Sequence, residues 1–255
     1  MNTMMKRAIL AATLSLGIAG PALAVEGEAE PPKLDWSFYG AFGTFNKEQL
    51  QRGYKVYKEV CSACHSMKYV AFRNLEALGF DEAQVKALAA SVQITDGPND
   101  QGDMFQRPGK PSDHFPAPFA NEQAARAANG GALPPDLSLM AKAREGGPDY
   151  IHAILTGYTD PPADFKVAEG KSYNKYFPGH NISMPKPLSD DQVTFDDGTK
   201  ATLNQEATDV AAFLMWTAEP NMEERHRMGL KVIIFLVVLT GLFLAAKKRI
   251  WRDVH

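Results

Sequence analysis

Val60-Cys61-Ser62-Ala63-Cys64-His65 contains both cysteines of the 255-residue chain and ends on a histidine. Two cysteines at this spacing could pair as a disulfide or cycle as a redox dithiol. The histidine directly after the second points instead to covalent attachment of a c-type haem, haem c. Two thiols about one helical turn apart can add across the two vinyl groups of the porphyrin. The adjacent imidazole is then delivered to one face of the iron. A thioredoxin-like motif wants a βαβ setting that the flanking residues do not offer.

Upstream, Asn46 and Gln49 form a plausible capping pair for a helix. Leu50, Tyr54, Tyr57 and Cys61 follow at spacings of four, three and four, which is one helix face. Gly53 costs about 1 kcal/mol of helix propensity relative to Ala, which makes sense where a second helix must approach closely. The candidate partner is Glu206 to Ala218, with Val210, Phe213 and Leu214 on one side, ending at Glu219-Pro220. Val193-Thr194-Phe195 and Ala201-Thr202-Leu203 flank Asp197-Gly198, a hairpin signal that predicts a short strand pair.

A haem held by His65 needs a sixth iron ligand. Outside the first 24 residues the methionines are Met67, Met104, Met140, Met184, Met215, Met222 and Met228. Met67 is too near His65 to reach the opposite face. Met184 lies in Phe177-Pro178-Gly179-His180-Asn181-Ile182-Ser183-Met184-Pro185-Lys186-Pro187, where prolines stiffen the loop. A thioether opposite imidazole raises the reduction potential and suits electron transfer. Met104, Met140 and His180 stay open as alternatives. Arg126 could pair with a haem propionate, and Pro134-Pro135 could lie against the ring edge. On the residues alone Arg126 reads first as an exposed helix charge, and Tyr158 with Pro161-Pro162 as part of the same haem wall or a plain surface turn.

The two ends set the compartment. Residues 1–24 carry Lys6-Arg7, an apolar stretch and Ala22-Leu23-Ala24, the layout of a secretory signal that is removed. Gly229 to Ala246 is apolar except for Lys231 and, at about 1.5 Å per residue, long enough for the hydrocarbon core. Lys247, Lys248, Arg249 and Arg252 follow, and such a basic flank stays cytoplasmic. The expected organisation is therefore a signal at 1–24, a periplasmic haem domain at 25–225, a transmembrane helix at 226–248 and a short cytoplasmic tail at 249–255. The whole chain has a net charge of −3, which argues against a nucleic-acid binder. Setting aside two basic residues in the signal, and five basic and one acidic in the anchor and tail, leaves 20 basic and 29 acidic residues, a net of −9. That acidic excess would attract a basic partner, or simply keep the domain soluble. The predicted fold is mainly α, a cytochrome c-like haem domain with long loop insertions and one C-terminal transmembrane helix.

An ordered set of motifs resembles the cytochrome c1 family in its alphaproteobacterial form. It comprises Val60 to His65, Phe119-Ala120-Asn121-Glu122-Gln123-Ala124-Ala125-Arg126 and Ala132-Leu133-Pro134-Pro135-Asp136-Leu137-Ser138. Leu155-Thr156-Gly157-Tyr158 with Pro161-Pro162, Tyr176 to Pro185, and Arg227-Met228-Gly229 complete it. The resemblance implies the haem subunit of a ubiquinol–cytochrome c oxidoreductase (cytochrome bc1) complex, within a dimeric assembly containing cytochrome b and the Rieske iron–sulfur protein. It implies Met184 as the sixth ligand and Arg126 near a propionate. Electrons would pass from the Rieske protein through the haem to a soluble cytochrome c or c2. Alternatives are a free-standing membrane-anchored cytochrome, or a haem peroxidase or sensor with an open sixth position.

Overall fold

Helix α1 (Lys47–Glu59) begins at the expected cap: the Asn46 side chain accepts the Gln49 N–H at 2.8 Å. The computed structural model describes residues 29–253, so the expected signal at 1–24 lies outside the described residues. The core face of α1 is Leu50, Gly53, Tyr54, Val56 and Tyr57, all buried. Its partner in the core is α6 (Leu203–Ala218), which starts three residues before the expected Glu206 because Thr202 caps it by accepting from Gln205. The helices touch at Gly53, where a Cβ would sit 2.1 Å from the Asp209 carbonyl oxygen and 2.7 Å from Phe213 Cβ. Only glycine permits this approach. Arg52 reinforces the crossing through bonds to the buried Asp209 and to Asp197, both 2.7 Å.

Between these helices the chain is short elements joined by long loops. A 3₁₀ turn (Cys61–Ala63) follows α1, then a 3₁₀ helix (Phe72–Leu78) and α2 (Glu82–Ala90). An antiparallel pair comes next, β1 (Gln93–Asp96) with β2 (Phe105–Pro108), Gln93 opposite Pro108. Then follow α3 (Glu122–Ala128), α4 (Met140–Ala143) and α5 (Pro148–Thr156). A second pair, β3 (Ser172–Tyr173) with β4 (Asn181–Ile182), precedes α6. α6 packs on α1, α4 and α5, and so forms the spine of the domain. An aromatic group consolidates it: Tyr57 stacks on Phe115 at 5.9 Å, Phe72 meets Phe115 at 4.7 Å, and Phe213 stacks on Trp216 at 5.8 Å.

The predicted strand pair across Asp197-Gly198 does not form. Gly198 makes a turn, with its N–H on the Phe195 carbonyl at 3.3 Å. The flanking backbone, however, bonds elsewhere. Val193 N–H goes to the buried Glu206 carboxylate at 2.9 Å, Leu203 N–H goes to Asp190, and Thr202 is taken as the α6 cap. One backbone bond, Asp191 to Ala201 at 2.7 Å, joins the two arms. Val193, Phe195 and Ala201 are buried, so the segment is a side-chain-anchored loop over the core.

Helix α7 (Met222–Ile250) runs past the expected span at both ends. Its apolar window has a mean hydropathy of 2.5 with none of it buried. A soluble core helix would hide that face, so length, composition and exposure together make α7 the membrane anchor.

Candidate functional site

The two cysteines and the histidine are fixed by α1 and the turn after it. Cys64 and His65 both donate their N–H to the Cys61 carbonyl, at 3.1 and 2.9 Å, and Ser62 Oγ bonds the Lys58 carbonyl at 2.7 Å. The Tyr57 hydroxyl reaches the His65 carbonyl at 3.4 Å. Cys64 is exposed and Cys61 is half-buried against the core. Desolvation, with a smaller push from Cys64, moves the Cys61 thiol up to about 12.

The His65 ring is the most informative contact. Its Nδ1 lies 2.8 Å from the Pro135 carbonyl. A carbonyl only accepts, so Nδ1 carries the proton and Nε2 presents a free lone pair. Burial pushes the imidazole pKa below its ordinary value, outweighing the opposing influence of the Pro135 bond and of Asp136. The ring is thus a neutral, oriented donor, as a metal-ligating histidine with a carbonyl behind it should be.

Pro135 is itself held by a neighbour that sequence reasoning missed. Asp136 accepts from Ser66 Oγ (2.8 Å), Lys68 N–H (3.0 Å) and Ser138 N–H (2.9 Å). Burial would raise its pKa, but hydrogen bonding, led by the Ser138 side chain and then Lys68 N–H, Ser66 Oγ and Ser138 N–H, holds it below the ordinary carboxylate value. Leu137 N–H to the Ser66 carbonyl at 2.8 Å closes the same clamp. The Asp-x-Ser spacing is an Asx-turn signature and could have been read from sequence.

Met184 follows β4, half-buried against the core. The Tyr158 hydroxyl donates to its carbonyl at 3.0 Å. Asn174, fully buried, pins the loop from the other side: Nδ2 donates to Ile154 carbonyl (2.8 Å), Oδ1 accepts from Tyr176 N–H (3.0 Å), and its N–H donates to His180 carbonyl (3.0 Å). No pattern in the sequence marked Asn174. Among the other ligand candidates, Met104 is 60 % exposed beside β2, and Met140 is half-buried against the core on α4. His180 directs Nδ1 to the Asn174 carbonyl at 3.1 Å and packs on Tyr173. Arg126 is exposed on α3 and bonds the Gly131 carbonyl at 3.2 Å, in the segment that leads to Pro135. Cys61, Cys64, His65 and Pro135 therefore form one cluster, while Met184 sits on a separately braced loop.

Residues 36–254 match the family model described as the Cytochrome C1 family. Cytochrome c1 of Rhodospirillum rubrum is 54% identical, covering 100% of this chain and 99% of that protein. A protein named cytochrome b/c1 from Bradyrhizobium diazoefficiens is 53% identical over 97% of this chain and 39% of its own length. The mitochondrial cytochrome c1 haem protein of Saccharomyces cerevisiae is 49% identical, covering 91% of this chain and 75% of that protein.

Proposed function

The chain belongs to the cytochrome c1 family, and on that premise we propose that it is the haem-bearing, electron-relaying subunit of a cytochrome bc1 complex. Cys61 and Cys64 would hold one c-type haem through thioether bonds, and His65 and Met184 would ligate its iron. The donors fit such a group. Nε2 of His65 is free and oriented, the two thiols sit on one turn, and the Met184 thioether lies against apolar core. The His65–Pro135 bond is the observation that carries this reading, because it fixes the tautomer a metal requires.

When bound, haem c supplies a one-electron iron couple whose potential a thioether opposite imidazole raises. The protein's share is orientation and exclusion of water. Pro135 and the Asp136 clamp hold the imidazole. Tyr158 and Asn174 hold the methionine loop, Arg126 would offer its guanidinium to a propionate, and Pro135 would lie against the ring edge. The relay makes and breaks no substrate bond. The Rieske iron–sulfur protein is the donor and a soluble cytochrome c or c2 the acceptor, to which the net charge of −9 on residues 25–230 is suited. The relative whose name joins cytochrome b with c1 supports cytochrome b as a neighbouring subunit.

The chain is anchored by α7, with residues 25–225 on the periplasmic side, the basic tail cytoplasmic and the 1–24 leader removed. A pyridine haemochrome spectrum combined with the mass of the mature chain tests attachment and processing together. The expected result is a thioether-type spectrum and a mass raised by one haem. A mass equal to the amino acids alone would sink the assignment. Met184→Leu should keep the haem but lower its midpoint by a sizeable part of the roughly 0.8 V range that axial ligands command. An unchanged midpoint removes Met184 as ligand.

A further inference from the structure

We propose that the loop Tyr39-Gly40-Ala41-Phe42 is a second membrane contact, set in the lipid headgroup layer beside the start of α7. It rests on α7 being the membrane anchor. From Trp36 to Asn46 the chain carries no charged residue but five aromatic ones. Three face inward: Trp36 and Phe38 are buried and stack at 5.3 Å, and Phe45 packs on Phe38 at 5.1 Å. Phe42 goes the other way. It is 82 % exposed, more than any large apolar side chain of the anchor, and Tyr39 is 48 % exposed.

The loop is built rather than slack. Tyr39 N–H bonds the Trp36 carbonyl at 3.0 Å, Gly43 N–H the Gly40 carbonyl at 3.3 Å, and Thr44 N–H the Ser37 carbonyl at 3.0 Å. A Cβ at Gly43 would lie 2.3 Å from the Phe38 carbonyl, so the turn that carries Phe42 demands glycine. The loop thus holds Phe42 and Tyr39 outward in one fixed pose.

Its position says which. Phe45 N–H donates to Glu223 Oε1 at 2.8 Å, fastening the loop to the first turn of α7. From Glu223 to Trp251, the exposed residue closing α7, is about 42 Å at 1.5 Å per residue. That matches the roughly 40–45 Å of a bilayer with both headgroup layers. If Trp251 marks one interface, Glu223 and the loop bonded to it lie at the other. Phe42 is three residues from Phe45, within about 10 Å of that bond. Tyr39 has the amphipathic ring enriched at this depth, and Phe42 adds an apolar ring of the kind that settles at the headgroup–acyl boundary. The uncharged tip suits a lipid surface, whereas a soluble acidic-to-basic docking face would carry charge.

The test places p-benzoylphenylalanine at Phe42 in the full chain within its native membranes and reads photoadducts by mass. The same probe at Phe235 and Val237 of α7 reports the anchor, and at exposed Phe105 of β2 reports background. The expected result is a phospholipid adduct at position 42 about tenfold above that at 105. An adduct to another protein subunit, or a yield no higher than at 105, overturns the loop contact while lipid adducts at 235 or 237 leave the anchor standing. Lipid adducts at none of positions 42, 235 and 237 overturn the anchor and the loop together.

Discussion

His65 and Met184 are held by opposite kinds of structure. The histidine hangs from α1 by bonds that span fewer than ten residues, Cys61 to His65 and Tyr57 to His65, and is then locked by one distant clamp at 135–138. The methionine loop has short-range bonds of its own, such as His180 N–H to the Phe177 carbonyl at 2.7 Å, but its hold on the rest of the domain is non-local. Its two-residue strand pair is braced by Asn174 and Tyr158, whose side-chain bonds reach back 20 residues to Ile154 and forward 26 to Met184. One side is thus set by helix geometry and the other by tertiary contacts. Both depend on α6, which packs against α1 and against α5 just before Tyr158.

The shared support gives the largest expected effect. Gly53→Val forces two methyl groups into a space where even a Cβ would be 2.1 Å from the Asp209 carbonyl. Backbone cannot step aside as a side chain can, so the cost should reach about 3 kcal/mol or more. Thermal unfolding and the yield of haem-loaded chain measure it. A variant that melts within a degree of the parent would mean the two sides do not share this crossing.

The next effect should fall on one side only. Asn174→Ala strands the Ile154 carbonyl and the Tyr176 N–H in the interior, a loss of roughly 2–4 kcal/mol. Haem should stay attached at Cys61 and Cys64 while the methionine ligand loosens. Carbon monoxide binding by the reduced protein and a fall in midpoint potential are the readouts. If haem attachment fails as badly as ligation, the division between a local and a non-local side is wrong.

This division also explains what could be read in the sequence. The α1 cap at Asn46, its face from Leu50 to Tyr57, the Gly53 crossing and the end of α6 at Glu219 follow local rules and stand in the structure, whereas Cys61, expected on the same face, falls past the end of α1 in the 3₁₀ turn. The hairpin at Asp197-Gly198 obeyed an equally good local rule and failed, because Glu206 and Asp190 captured the backbone donors that strands would have used. Asn174 was illegible for the same reason. A buried polar residue that ties its near neighbours Tyr176 and His180 to Ile154, 20 residues back, leaves no period behind it. Met184 could be picked by its proline-rich loop and by family resemblance, but not what braces it.

The clamp behind His65 makes a smaller, pH-dependent prediction. The Asp136 carboxylate is held below its ordinary pKa in the folded chain, so its stabilisation is present above the unfolded value of about 3.9 and is lost as pH falls through the lower folded value. Asp136→Asn should cost about 1 kcal/mol at neutral pH. The gap to the parent should close below about pH 4. Denaturant midpoints across that range check the sign, and a gap that widens in acid would show that the charge is not what Ser66, Lys68 and Ser138 recognise.

The smallest effect is expected from Tyr158→Phe. Burial pushes the Tyr158 phenol above its usual pKa, so it remains a donor to the Met184 carbonyl at any pH the protein survives. Its ring is half-buried and a phenylalanine keeps the packing. Only the hydrogen bond goes, at about 1 kcal/mol. For a chain of this size that is roughly 2–4 °C in melting temperature. Because Asn174 still anchors the opposite end of the loop, ligation should persist and reduced protein should gain no more than a minor carbon monoxide-binding fraction. Should Tyr158→Phe open the iron as fully as Asn174→Ala, the methionine side would rest on a single bond, and the loop between the two residues would be carrying no weight of its own.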